Sequence, residues 1–350
     1  MSCAKCRSCN ERTQILAVIL DLDGTLLNTE QVTKDVLKDF LAKYGKEVDP
    51  KKEESRLGMM QKEAAIAIVK DYDLPLTPER FIQDISPMYH ERWPLAKPLP
   101  GANRLIMHLH KHGVPFALAS NSVRRNIDTK VSHQPGWKER FTAILGSDEV
   151  KSGKPAPDLF LEAARRMGVD ASRCLVIEDS LVGVEAARAA KMKVVAVPSI
   201  EGEAESYSIA DLVLHSLLEF QPELWGLPPF EDWINNVLPI EPTYVAYVDG
   251  FLQEAQDLPQ YGTDGGPFTI PVQLSGLFCG WATVDELGKF KVVVALGWDS
   301  CTPKRSFVSV TLLALILERN HSNPFGLPLI ACAICLFCSK YAPVKVGAIV

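Results

Sequence analysis

A doubly wound α/β fold, with a parallel sheet covered by helices on both faces, is what this sequence predicts. Three observations carry that expectation. Six short apolar runs rich in β-branched residues recur between residues 15 and 214, and amphipathic helical patterns lie between most of them. The runs are apolar throughout, as strands buried on both faces are, where a half-solvated strand would alternate. Farther along, residues 276–298 read as two further β-strands in a separate, β-rich region.

The runs are ILAVIL (15–20), VPFALA (114–119), FTAILG (141–146), RCLVIE (173–178) and MKVVAV (192–197), with DLVL (211–214) as a weaker sixth. The helical patterns NRLIMHLHKHG (103–113), PDLFLEAARRMG (157–168) and GVEAARAAKM (183–192) lie among them. His108, His110 and His112 alternate along the first of these. A helix spreads such residues around its axis, so they read as a solvated face and not as a shared metal site. Residues 31–97 hold no strong strand. QVTKDVLKDFLAKYG, QKEAAIAIVKDYD and PERFIQDISPMYHERW read there as amphipathic helices.

Catalytic groups in such folds gather at the carboxyl ends of the strands. Asp21 and Asp23 follow the first strand, and Ser120, Asn121 and Ser122 follow FALA. Glu178 and Asp179 end RCLVIED, and Lys154 sits in SGKPAPD, just before a helix start marked by Pro157. Any one of these reads as a cap or turn residue. Together they bring several carboxylates, a hydroxyl cluster and one ammonium to one edge of one sheet. So many carboxylates need a divalent cation, and Mg²⁺ favours oxygen ligands, waters and a substrate phosphate. A metal beside a lysine would neutralise a phosphoryl group in transfer.

Composition narrows the classes. Apolar content of 47% and charge of 23% are ordinary for a globular protein. A net charge of −6 with no basic stripe argues against a nucleic-acid partner. The polar start MSCAKCRSCNERTQ lacks a signal-peptide pattern, which leads us to expect a cytoplasmic protein whose nine cysteines are thiols. The triplets Cys3, Cys6, Cys9 and Cys332, Cys335, Cys338 lack a fourth ligand and are read as binding no metal. The longest apolar run, 325–338, is short for a membrane span and holds Pro328, so no membrane partner is expected.

DLDGT (21–25), the Ser after FALA, the Lys of SGKP and the EDS of VIEDS together resemble the haloacid dehalogenase-like phosphohydrolases, over residues 14–220. The polar residues 1–14 before that stretch are read as a flexible tail. The resemblance implies a Rossmann-like core at 15–30 and 98–220 and a helical cap at 31–97. It makes Asp21 the nucleophile that forms an aspartyl-phosphate, and Asp23 the general acid and then base. Ser120 would bind a phosphoryl oxygen with Asn121 beside it, and Lys154 would steady phosphate and nucleophile. Asp21, the backbone carbonyl of Asp23, and Asp179 would hold Mg²⁺, with Glu178 as a ligand or a neighbour. Thr25 would shape the loop. RLGMMQKEA (56–64) resembles the cap loop that faces such sites, so Arg56, Gly58 and Met59 are candidate substrate contacts, or plain connectors of two cap helices.

After the Pro-rich break PELWGLPPF (222–230) the composition changes. Residues 226–305 resemble, in degenerate form, the riboflavin kinase module of the plant bifunctional riboflavin kinase/FMN hydrolases. That resemblance implies FMN as substrate, released as riboflavin and phosphate, with sugar phosphate, glycerol phosphate and pseudouridine phosphate as alternatives. Val272 and Gln273 stand after Ile270 and Pro271 where the module carries Thr and Asn ligands, and Asp299 is the one acid on offer. Kinase activity is therefore expected to be lost, the alternative being an enzyme with both activities. Residues 306–350 resemble neither family and are read as an aberrant or disordered tail. A binding or scaffold protein with an incidental site is the competing class.

Overall fold

β1 (Ala17–Leu20), buried at all four positions, runs through the middle of a six-stranded parallel sheet. This is seen in a computed structural model that describes residues 14–232, apart from 57 and 200–203, and beyond them the backbone of five strands. The sheet order is β3-β2-β1-β4-β5-β6, with β2 at Phe116–Ala119, β3 at Ala143–Leu145, β4 at Cys174–Glu178, β5 at Lys193–Ala196 and β6 at Leu212–Val213. All six predicted runs form strands. From β1 the chain winds one way through β2 and β3, then crosses to β4 and continues the other way. The strand order therefore reverses beside β1, where folds of this type place ligands.

Residues 29–95 leave the sheet between β1 and β2. They form α1 (Thr29–Ala42), α2 (Pro50–Glu54), α3 (Gln61–Asp71) and α4 (Pro78–Arg92), then a 3-10 turn at Trp93–Leu95. Local chemistry sets two of the starts: the side chains of Asp49 and Thr77 accept from Lys51 N and Arg80 N, each with proline next in the chain. These helices bury their own core, including Val36, Phe40, Phe81, Ile85, Tyr89 and Trp93. Phe40 meets Phe81 edge-on at 5.1 Å, and Tyr89 stacks on Trp93 at 4.8 Å.

The remaining helices are α5 (Ala102–Lys111), α6 (Arg124–Lys130), α7 (Trp137–Arg140), α8 (Asp158–Met167) and α9 (Leu181–Ala189). Alternate residues of each strand serve opposite faces of the sheet. Val18, Leu20, Leu118 and Ile177 pack with Leu105, Ile106 and Leu109 of α5. Ala17, Ile19, Ala119 and Val176 pack with Leu159, Phe160 and Ala163 of α8 and Val184 of α9. Both faces are thus dry, which is why the strands read as unbroken apolar runs.

The chain divides into two units, Met1–Phe230 and Glu231–Val350, so the first reaches past the expected edge of the core at 220. The cause is packing. Leu227 is buried in the core, Trp225 and Phe230 pack against it, and Trp225 O accepts from Ile15 N at 3.3 Å. The same segment corrects the reading of α5 as a solvated histidine face. His108 is buried, its Nε2 lies 2.8 Å from Pro228 O, and its ring meets that of Phe230 at a tilt with centroids 4.4 Å apart, while His110 stays exposed.

In the second unit the described strands are β7 (Val237–Ile240), β8 (Gly276–Val284), β9 (Gly288–Leu296), β10 (Thr311–Leu313) and β11 (Val346–Ile349), in the order β10-β9-β8-β11-β7. β8 and β9 pair antiparallel, as the reading of 276–298 expects. β10 and β11 fall within 306–350. Val272, Gln273, Asp299 and both cysteine triplets lie outside the described residues. Among the described residues no helix is long and apolar enough to cross a membrane.

A chain ending after Asp232 should therefore unfold with the first unit's full stability, whereas one ending after Phe220 should lose about 3 kcal/mol by giving up Trp225, Leu227 and Phe230. For a unit of this size that is a melting temperature roughly 6–12 °C lower. Equal melting temperatures by calorimetry would show that the 222–230 segment contributes nothing to the fold.

Candidate active site

Strand register assembles the site. Leu20 of β1 lies beside Leu118 of β2 and Ile177 of β4, so the residues that follow each strand emerge side by side. Asp21 N donates to Ile177 O at 3.1 Å, which sets Asp21 next to Glu178. Lys154 enters from the loop before α8. Its Nζ lies 2.5 Å from both Asp21 Oδ1 and Glu178 Oε1 and 5.0 Å from the Phe160 ring centroid. All three side chains are almost wholly buried. Burial opposes the charge on Lys154, but Asp21 and Glu178 outweigh it and hold the ammonium above its ordinary range.

The carboxylates are less well compensated. Burial pushes Asp21 up to about 8, against the pull of Lys154 and with the push of Glu178 and Asp23. Asp179 is raised well above the usual carboxylate range, first by burial and then by Glu30, Glu178 and Asp21. It accepts a hydrogen bond from the neutral Thr25 Oγ1 at 3.2 Å. Glu30, whose Oε1 accepts from Ser199 at 2.8 Å, is also raised, chiefly by burial. Asp21, Glu178 and Asp179 each place one oxygen within 4.8 Å of the others. Such a buried acidic cluster, sharing one lysine, fits a hard cation with oxygen ligands.

Glu178 differs from its neighbours within that cluster. One oxygen meets Lys154, and the other accepts from Ser180 N and Oγ, both at 3.0 Å. A Cβ at Gly183 would fall 1.9 Å from its carboxyl carbon, so glycine is required where α9 approaches. Gly24 plays the same part across the site. Its φ is +79°, and a Cβ there would fall 2.1 Å from Asp179 Oδ2. The Gly of DLDGT is thus fixed by both conformation and space.

Asp23 points to the other side of the loop, with its side chain 29% exposed. Four groups surround its carboxylate. Thr29 Oγ1 donates to Oδ1 at 2.6 Å, while Ser120 and Ser122 donate to Oδ2 at 3.2 and 3.0 Å. Lys130 Nζ, on α6, reaches both oxygens at 2.7 and 2.8 Å. Burial opposes ionisation here too, but Lys130 and these hydroxyls prevail and hold the carboxyl below its usual range.

The cap loop reaches the same edge. Asn121 accepts from Lys154 N at 2.7 Å and donates to Lys154 O at 3.1 Å and to Gly58 O at 2.8 Å. Gly58, at φ +74°, sits where a Cβ would be 3.0 Å from Ser180 Oγ. Met59 is more exposed. Arg56 is turned into the cap instead. Its guanidinium pairs with Glu53 and with Asp71 at 2.6 Å, over the Tyr72 ring. The structure therefore gathers Asp21, Asp23, Ser120, Asn121, Lys154, Glu178, Asp179 and Gly58, and leaves Arg56 apart. Sequence reasoning missed Lys130, Thr29 and Glu30. Thr29 and Glu30 sat next to the opening motif, but RRNIDTKVS around Lys130 carries no signal that sets it apart.

The profile of the haloacid dehalogenase-like hydrolases matches residues 18–197. A bifunctional riboflavin kinase/FMN phosphatase of Arabidopsis thaliana is 46% identical over 288 residues, 81% of this chain and 76% of that protein. (DL)-glycerol-3-phosphatase 2 of the same plant is 39% identical over 63% of this chain and 95% of its own length. Among solved structures, a haloacid dehalogenase-family hydrolase of Deinococcus radiodurans with bound phosphate and sodium superposes with a TM-score of 0.52. It is 29% identical, over 62% of this chain and all of that one.

Asp179 gives a pH test in EDTA. A carboxyl raised in the folded state above the ordinary 3.8 takes up a proton on folding, so stability from it falls as pH rises through that window. Asp179→Asn removes the group, so its melting temperature should exceed that of wild type by a few degrees at pH 8 and by much less at pH 5. An advantage that is the same at both pH values would show that Asp179 is not held at odds with its charge.

Proposed function

The chain belongs to the haloacid dehalogenase-like hydrolases and is a phosphatase of that type, and from there we propose that it is a Mg²⁺-dependent FMN hydrolase working through an aspartyl-phosphate on Asp21. One observation carries the reading: buried Lys154 bridges Asp21 and Glu178 beside Asp179, whose carboxylate has no cation of its own among the described residues. An oxygen of Asp21 attacks phosphorus, the ester P–O bond breaks, and the leaving oxygen takes a proton from Asp23. The Asp23 carboxylate takes that proton up from solvent as the negative charge of the ester comes to stand beside it. A water then attacks phosphorus and gives its proton to Asp23, and the bond to Asp21 breaks to restore the carboxylate.

Lys154 holds Asp21 in place and offsets phosphoryl charge, and Ser120 binds a phosphoryl oxygen. Asp21, Asp179 and the backbone carbonyl of Asp23 would hold Mg²⁺, which supplies positive charge against the transferring phosphoryl group. Both oxygens of Glu178 are engaged by Lys154 and Ser180, which supports a role in seating the lysine. Asn121 ties the serine loop to the lysine loop and to the cap at Gly58. Met59, exposed on that cap loop, is left to meet the leaving group.

FMN is favoured because the bifunctional Arabidopsis relative matches across most of the chain. Val272 and Gln273, in place of the module's Thr and Asn ligands, support loss of the kinase reaction. The test is phosphate release from FMN, glycerol 3-phosphate, a sugar phosphate and pseudouridine 5′-phosphate. FMN should give the highest kcat/KM, EDTA should silence the enzyme, and Mg²⁺ but not Ca²⁺ should restore it. Asp21→Asn should lose at least about 10³-fold. No FMN should form from riboflavin and ATP. Full activity in EDTA would overturn the metal, and a better substrate than FMN would overturn the assignment of the ester.

A further inference from the structure

Lys130 is a buried ammonium on a short helix outside every motif of the site, yet its Nζ contacts the second aspartate of DLDGT. It lies 2.7 and 2.8 Å from the two oxygens of Asp23 and 2.8 Å from Ser122 Oγ. On its other side stands the Trp93 ring, with the centroid 4.5 Å away. Trp93 is itself fixed, stacked on Tyr89 and donating from Nε1 to Thr33 Oγ1 at 3.2 Å. The ammonium is therefore held between an aromatic face at the end of the cap and a carboxylate at the edge of the sheet.

The hydroxyls hold the carboxylate from two chain segments, Thr29 on one oxygen and Ser120 and Ser122 on the other, and each is a neutral, single contact. Among these donors the ammonium is the one that carries charge and the one that spans both oxygens, and it is itself seated on a ring. It is therefore the strongest single restraint on the direction of the carboxyl. Proton transfer to a leaving oxygen needs the donor within hydrogen-bond reach and in line, so small errors of aim are expensive. We infer that Lys130 is a positioning residue that holds the Asp23 carboxyl in place for the leaving group of the ester. The inference rests on Asp23 being the acid of the reaction. It assigns Lys130 no contact with the substrate.

Leaving-group chemistry separates this role from a structural one. An alkyl ester such as glycerol 3-phosphate leaves as an alkoxide and needs the proton, whereas p-nitrophenyl phosphate leaves as a stabilised phenolate and scarcely does. Lys130→Met keeps the bulk of the side chain and removes its charge. It should lower kcat/KM for glycerol 3-phosphate by about 10- to 100-fold and that for p-nitrophenyl phosphate by less than about 3-fold, given that general acid catalysis contributes about 10²–10⁴. The ratio of the two, measured on one preparation, does not depend on how much of the variant is folded. Asp23→Asn should show the same bias more strongly, and Lys130→Met should add little in the double variant. Equal losses on both esters, or none, for Lys130→Met beside a biased Asp23→Asn would overturn the Lys130 assignment alone. An unbiased Asp23→Asn would remove Asp23 as the acid, and the Lys130 assignment with it.

Discussion

The Lys154 ammonium, buried between Asp21 and Glu178, is the interaction around which the site is organised. Its lysine comes from one crossover, its two carboxylates from the ends of β1 and β4, and the three meet only if those strands are adjacent and in register. A buried charge left without its partner costs about 3–5 kcal/mol, so this contact fixes the relative places of three chain segments. It also leaves a deficit. One ammonium faces Asp21, Glu178 and Asp179, with Glu30 nearby, and a divalent cation is the simplest group that closes the gap.

The two aspartates of DLDGT, one residue apart, are thereby given opposite surroundings. Asp21 is pushed up by burial and then by the carboxylates around it, against the pull of Lys154, while Asp23 faces Lys130 and hydroxyl donors and is held down against its own burial. Asp21 would return to its charged, nucleophilic form with a cation among the carboxylates, and Asp23 would rise toward a proton donor with the negative charge of a phosphate ester beside it. The turn that separates the two acids is possible because Gly24 takes a left-handed backbone against Asp179. The cap reports to the same place twice: Gly58 through Asn121, and Trp93 through Lys130.

Much of this was legible in the sequence. Unbroken apolar runs disclosed the strands, because a sheet dry on both faces leaves no polar positions to blur them. Asp21, Lys154 and Asp179 were legible because each follows a strand or precedes a helix, the places where such folds put chemistry. Lys130 was not, since its partner is 107 residues away and its own short helix shows one apolar residue, Ile127, among polar ones. Arg56 is a candidate together with Gly58 and Met59 because RLGMMQKEA resembles a cap loop that faces such sites, and that likeness does not separate a substrate contact from a connector of two helices. Glu53 and Asp71, which pair with Arg56, come together only when the cap folds. His108 was read as solvated because nothing in α5 announces that residues 222–230 fold back to cover it.

The central claim is that Asp21 carries the phosphoryl group. Its most direct test is to turn over ³²P-labelled p-nitrophenyl phosphate, whose leaving group scarcely needs a proton, in the presence of Mg²⁺ with the Asp23→Asn variant, which lacks the base for the second step. The reaction is then quenched in acid and the peptides are mapped. A hydroxylamine-labile phosphoryl group is expected on Asp21, absent when Asp21 is changed to Asn. Label on another residue, or turnover with no labelled protein at any time, would contradict it.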